Sequence, residues 1–526
     1  MTVVNFLDRG SELSKDLPCL VEDDVSLTYR EVVDWSHRIA WALDDQSIGA
    51  KSRVAVLTYN NIWGYVALLG LQRARSLWVP LNARSTIEEN IGHMVRTQSE
   101  WLFFHSDFAV HVDRIRREVT TLKGVVCLDA PSAAAPEMAS WARPAGCPAY
   151  PEPPTDPAED DFRITSSGGT TGEPKAVVQT QRGVETGVAT YLSSLRHEGR
   201  PRYLLCNPMT HAAGVASFHI LALGGTIFFL RKPELHRVIE QIEQNRISMV
   251  ILTPTTLYSL LAMPDLAKHD FSSLRYLMTG AAPVSASKLR EAIKLFGPVV
   301  MQAFGQTEAS PSVAMMLPDE YEACLRDPAL EHRLHSCGRA TLFAKLAIMG
   351  EDGKLLPPGE RGELVVRSGA VMRGYWREGT LVPRNDKHGW HGTGDIAYRD
   401  EAGYFYIVDR IRDLIITGGF NVFPSEVEQV IWGHPSVEDC VVIGVPDEKW
   451  GEAVKAVVSL KSGSSLTETE LIALCRERVG PVKAPKSIEF WNDLPKSALG
   501  KVLKKEVRAI LQSRAAVQES FGRLDC

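Results

Sequence analysis

The sequence predicts an α/β protein: a large N-terminal domain of doubly wound sheets with a β-rich part, followed by a small α+β domain. Three observations carry this prediction. Strand-like and helix-like segments alternate through the first half of the chain, the order of parallel strands covered by helices. Glycine-bearing turns follow several strand-like segments, where open α/β sheets bind ligands. Charges then break the apolar pattern at Asp409-Arg410-Ile411-Arg412-Asp413, and roughly a hundred residues of new compact pattern follow, enough for a second domain. The expected division is 1–409 and 410–526.

In order, Arg53–Leu57 alternates as a strand, Trp63–Leu71 has helical spacing, and Leu77–Val79 restarts a strand. The pattern returns at Trp101–Phe104, Tyr203–Cys206, Thr226–Leu230 and Ser248–Leu252, and one doubly wound body is the economical account. Alanine and proline enrich Ala130–Pro157, which reads as a surface excursion. Leu274–Met278 is a strand, Ser285 caps a helix ending near Gly297, and Val299–Met301 is the next strand. In the small domain, Ser425 and Glu428 have the spacing of a capping box for a helix toward Trp432. Asp439–Val445 and Ala453–Leu460 read as strands, and Glu468–Arg478 as a helix.

Composition excludes several classes. The 526 residues are 44% apolar and 23% charged, with net charge −6. That is an ordinary globular balance without a broad basic surface for nucleic acid. Nine dispersed cysteines without a Cys-x-x-Cys pair fit reduced thiols. Asp8, Arg9, Glu12, Lys15 and Asp16 occupy the place of a signal peptide's apolar run, and no apolar segment approaches a membrane span. The expected location is cytoplasmic.

The most informative stretch is Ser166-Ser167-Gly168-Gly169-Thr170-Thr171-Gly172-Glu173-Pro174-Lys175. Three glycines let backbone approach a ligand, hydroxyls add donors and Lys175 adds a charge, a combination suited to phosphate. Apolar-rich flanks predict that this loop joins two strands. It is not a Walker A loop, because Lys175 follows proline. Thr279-Gly280-Ala281-Ala282-Pro283 and Gln302-Ala303-Phe304-Gly305-Gln306-Thr307-Glu308 read as turns at the ends of successive parallel strands. There Phe304 suits packing near a base, Thr307 donation to phosphate, and Glu308 an oxygen ligand for Mg²⁺. His211 follows a strand end among small residues, Asp395 sits at a turn suited to ribose hydroxyls, and Lys501 lies beyond a glycine turn. Each of these residues alone reads equally as an ordinary turn, cap or surface charge.

Taken as an ordered set, these motifs resemble the acyl-adenylate-forming superfamily, specifically its stand-alone acyl-CoA synthetases, from about Leu27 to Lys505. The resemblance implies that Ser167, Gly168, Gly169, Thr170, Thr171, Gly172 and Lys175 hold the β and γ phosphates of ATP. It gives Gly280, Ala281, Ala282, Gln302, Ala303, Phe304 and Gly305 to adenine, Thr307 to phosphate, Glu308 to Mg²⁺, and Asp395 with Arg410 to ribose. Lys501 matches the lysine bridging the substrate carboxylate and α-phosphate, His211 the position between acyl pocket and thiol tunnel, and Arg412 the hinge. Gly418, Gly419 and Phe420 match the tunnel for CoA's pantetheine arm. Met209, His211, Ala212, Ala213, Ala281 and Gly305 are expected around the acyl group, and no charge among them points to a dicarboxylate or amino acid. Gly168 in place of serine and Ala176 in place of glycine are mild departures.

The implied reaction is ATP-dependent formation of acyl-AMP with release of pyrophosphate, then transfer to CoA. An aromatic, alicyclic or medium-chain acid is expected. The alternatives are delivery to a separate carrier protein, a long-chain fatty acid as substrate, or a non-catalytic nucleotide-binding role. ATP, CoA and Mg²⁺ are the expected cofactors and a small carboxylic acid the expected partner; pairing into a homodimer stays open.

Overall fold

The computed structural model describes residues 1–152, 159–167, 174–386, 388–496 and 502–522. Its contacts gather two compact units. Among the described residues, the first comprises 1–167, Pro174–Leu346 and Val366–His391, and the second Ala347–Val365 and 392–522. Residues 392–409 thus group with the C-terminal part of the chain.

The first unit holds two large sheets, in keeping with the one body of doubly wound sheets expected from the sequence. In the nine-stranded sheet, parallel pairing runs from Pro18–Glu22 through Thr226–Phe229, Arg202–Leu205, Met249–Leu252 and Tyr276–Gly280 to Val300–Gln306. In the eight-stranded sheet it runs from Gly124–Cys127 through Trp101–Phe104, Arg53–Thr58 and Leu77–Asn82 to Asp161–Ser167. Antiparallel strands finish both, among them Ala309–Met316 in the first and Lys175–Thr180 and Gly374–Arg377 in the second.

Helices between the sheets explain the arrangement. Ile62–Arg73 and Ala212–Ala222 are buried on nearly every side, as helices apolar all round must be. Tyr65 meets Phe229 at 5.5 Å and Phe218 meets Phe162 at 5.9 Å between ring centroids. These helices therefore join both sheets in one core. Local periodicity reports that a strand is buried, not which sheet it joins.

The β-rich part is a four-stranded sheet ordered Ala344–Met349, Gly362–Ser368, His391–Arg399, Phe405–Arg410. In the second unit, Val437–Asp447 pairs antiparallel with Gly451–Leu460, under helices Pro424–Trp432 and Glu468–Lys483. The expected capping box is not formed. Phe423 is the N-cap, and Ser425 instead donates its hydroxyl to the Val408 carbonyl. Glu428 turns inward, where its carboxylate accepts from the Val442 amide at 2.8 Å and meets Lys504 Nζ at 3.0 Å.

Candidate functional site

Strands Asp161–Ser167 and Lys175–Thr180 pair antiparallel, with Ser167 opposite Lys175. They bring the two ends of the glycine-rich segment to adjacent register positions, as the apolar flanks predicted. Gly168, Gly169, Thr170, Thr171 and Gly172 lie outside the described residues, and so does Lys501. Lys175 is exposed at the strand's start, its ammonium 4.9 Å from the centroid of the Tyr375 ring. The Tyr375 hydroxyl lies 3.4 Å from Glu308 Oε1. One tyrosine therefore touches both the loop lysine and the predicted metal-binding carboxylate.

Strand Gly374–Arg377 places Tyr375 there by pairing it with Val177, two residues beyond Lys175. Sequence reading treated Gly374-Tyr375-Trp376 as punctuation of a β-rich region; the only available signal was an aromatic residue within a short strand.

The turn after Tyr276–Gly280 is constrained. A Cβ at Gly280 would stand 2.6 Å from the Ala303 carbonyl oxygen, and Ala281 adopts φ +67°, a region costly for a residue with a side chain. Such strain concentrates at ligand-binding turns. The second predicted turn is a strand: Gln302, Ala303, Phe304 and Gly305 belong to Val300–Gln306, and only Thr307 and Glu308 make the reversal into Ala309–Met316. Backbone crowding demands glycine at 305, where a Cβ would lie 2.3 Å from the Pro311 carbonyl oxygen. Phe304 packs beside Ala309 and Val313, and Gln302 accepts the Tyr321 hydroxyl at 3.0 Å.

His211 is the N-cap of Ala212–Ala222, with Nδ1 2.8 Å from Thr210 Oγ1. Burial pushes its pKa down to about 4, with Arg163 and Arg84 adding repulsion. At neutral pH the ring is therefore uncharged. Met209 and Ala213 are buried, whereas Ala212 and Ala281 are exposed. Met209 is anchored by its amide, which donates to Asn60 Oδ1 at 2.8 Å.

In the second unit, Asp395 and Arg410 are register partners on His391–Arg399 and Phe405–Arg410. Arg410 Nε stands 3.2 Å from Asp395 Oδ1. Asp395 is buried and its amide is held by Thr393 Oγ1 at 3.1 Å. Gly418 and Gly419, at φ +57° and +82°, make the hairpin turn between Ile415–Thr417 and Phe420–Val422. Positive φ at both central residues is the two-residue hairpin geometry. A Cβ at Gly418 would strike the Trp450 ring at 2.7 Å, while at Gly419 it would meet nothing, and Phe420 is exposed. Arg412 lies exposed in the short 3₁₀ turn Ile411–Asp413. The segment leading to Lys501 is pinned where it is described: Lys496 bridges Val502 in antiparallel fashion, and its Nζ meets Asp439 Oδ2 at 2.9 Å.

A family model described as AMP-binding enzyme matches residues 7–376, and a second, AMP-binding enzyme C-terminal domain, matches 426–501. The chain belongs to the AMP-binding enzyme family. It is 40% identical over 360 residues to the medium/long-chain-fatty-acid–CoA ligase FadD8 of Mycobacterium tuberculosis, an alignment covering 67% of this chain and 62% of that protein. It is 32% identical over 505 residues to a feruloyl-CoA synthase of an Amycolatopsis species, covering 95% and 97% of the two chains. The ATP-bound crystal structure of MatB from Rhodopseudomonas palustris superposes with TM-score 0.85 at 26% identity, over 97% and 99% of the chains.

This AMP-binding enzyme is an AMP-forming acid–CoA ligase, and ATP and CoA are the substrates of such ligases. Its large α/β part and smaller α+β part agree with the fold class read from the sequence. Among the described residues no helix is long and apolar enough to cross a membrane.

Proposed function

We propose that this enzyme activates a small aromatic, alicyclic or medium-chain carboxylic acid as its acyl-adenylate and passes the acyl group to CoA. The observation that carries the site assignment is the Lys175–Tyr375–Glu308 cluster, which puts one cation and one carboxylate on the same tyrosine beside the ends of the glycine-rich segment. An acyl-adenylate requires a carboxylate oxygen to attack the α-phosphorus while pyrophosphate leaves. The attacking group is already an anion at neutral pH and needs no base. The obstacle is repulsion between anions, so fixed positive charge and oriented donors supply the catalysis.

Lys175 and the hydroxyls of the glycine-rich segment are assigned to the departing phosphates, and Lys501 to the carboxylate and α-phosphate. Glu308 offers the hard oxygen donor that Mg²⁺ prefers and would hold the ion there. The metal would neutralise charge on the triphosphate. Asp395, oriented by Thr393 and accompanied by Arg410, is assigned to the ribose hydroxyls. His211, uncharged, orients the thiol or excludes water rather than attracting an anion. The part beginning near residue 410 is assigned the movement that withdraws Lys501 and presents the Gly418-Gly419 turn for thioester formation. The exposed Phe420 and the open side of Gly419 leave room for a pantetheine arm.

The two relatives reported above are named for feruloyl-CoA and for medium- and long-chain fatty acids, which makes the acid panel the informative test. AMP formation should be measured with ferulate, cyclohexanecarboxylate, octanoate and palmitate, with and without CoA. Acid-dependent AMP release that requires CoA for turnover, strongest with one of the first three, is expected. A preference for palmitate would overturn the substrate class, and release without thioester would overturn CoA as acceptor.

A further inference from the structure

Arg163 is a buried guanidinium bordering the proposed site, at 2% exposure, and among the described residues its hydrogen-bond partners are an amide oxygen and a backbone carbonyl. It lies on the strand leading into the glycine-rich segment, with Trp78 and Gln179 as register partners on either side. Its Nε donates to Gln179 Oε1 at 2.6 Å and its Nη1 to the Thr210 carbonyl at 3.0 Å. The charge rests near the faces of Phe162 and Trp78, 5.5 and 5.6 Å from their centroids. Gln179 passes the contact on, its Nε2 donating to the Thr307 carbonyl at 2.7 Å.

A buried cation without a paired carboxylate is costly. Burial lowers its pKa only to about 9, so the charge persists at neutral pH. Two other covered cations do have carboxylates: Arg73 has Asp8 at 2.6 Å and Lys504 has Glu428 at 3.0 Å. Arg163 lies where two buried side chains connect the strand entering the loop, the strand leaving it, the residue before His211 and the residue before Glu308.

We infer that Arg163 and Gln179 are positioning residues for adenylate formation, fixing the spacing between the His211 wall and the Thr307–Glu308 reversal and holding an uncompensated positive charge behind the converging anions. This rests on the site assignment proposed above. Neither side chain needs to touch substrate. Rigid support of this kind governs rate because a displacement of about 1 Å at a reacting centre costs on the order of 100-fold.

The test compares Arg163→Met, Arg163→Lys and Gln179→Met with the unaltered enzyme, using ATP, Mg²⁺ and the best acid of the panel. Thermal unfolding is measured alongside single-turnover pyrophosphate release. Arg163→Met should slow release about 100-fold per folded molecule, with KM for ATP and acid changed by less than about threefold. Arg163→Lys, which restores the charge, should recover about tenfold, and Gln179→Met should lose about tenfold. Should Arg163→Met fail to fold, Gln179→Met decides the matter alone. Release at the unaltered rate in the Met variants, or a loss explained by the unfolded fraction, would overturn the inference. If the unaltered enzyme releases no pyrophosphate with any acid, the site assignment fails and this inference with it.

Discussion

Two covered cations, Arg163 in the first unit and Lys504 in the second, are held in opposite ways. Lys504 meets the carboxylate of Glu428 and feels Asp409 and Asp413. Arg163 has an amide oxygen, a backbone carbonyl and two aromatic faces. A fully compensated cation stabilises a particular packing, but its field is spent inside the protein. A cation with neutral partners keeps its field for whatever arrives. The difference is between two cations, one already answered by the protein's own carboxylates and one held by neutral groups beside the proposed site.

The sharpest way to break this contrast is at Lys501, whose assigned charge is needed in one half-reaction only. Lys501→Ala should reduce acid-dependent pyrophosphate release by about 100- to 1,000-fold, while thioester formation from supplied acyl-adenylate survives. Equal loss in both assays would contradict an alternating role.

Next in size is the compensated side. Lys504→Met leaves Glu428 buried without its cation and should cost about 3–5 kcal/mol in urea unfolding at pH 8. Adding Glu428→Leu should recover most of that. A Lys504→Met loss below about 1 kcal/mol would place the pair with weak surface bridges.

The smallest effect is collective and comes with acid. Burial lowers the pKa of His93 and His197 to about 4 and of His219 to about 3. Folded-state values below the unfolded value mean that protons bind preferentially to the unfolded chain. Stability is therefore full above about pH 6.5 and falls as pH drops from there toward 4. Thermal unfolding across pH 7 to 5 should show a steady decline, eased by His219→Gln. A flat profile would show that these rings are hydrated.

What the sequence made legible was local. The strand–loop–strand around Ser167 to Lys175, the glycine pair of a hairpin and the alternation of strands and helices are all patterns within about ten residues. What it hid depends on register and on partners distant in the chain. Arg163 carries no local mark in the sequence; its role rests on Gln179 and Thr210, 16 and 47 residues away. Tyr375 gained meaning only when its strand paired next to Lys175. Glu428 had the spacing of a cap, yet a distant lysine claimed it. Helices buried between two sheets likewise leave no local mark that distinguishes one sheet from two. The turn expected from Gln302 to Glu308 is shorter in the structure, because the strand continues through Gly305 with Ala309–Met316 paired back onto it.

The most direct measurement follows an oxygen atom. With the acid labelled by ¹⁸O in its carboxylate, attack on the α-phosphorus places one labelled oxygen between acyl carbon and phosphorus, and thiolysis by CoA leaves it on AMP. Mass spectrometry should find one carboxylate oxygen in each AMP and none in pyrophosphate. Unlabelled AMP, or label in pyrophosphate, would contradict the account.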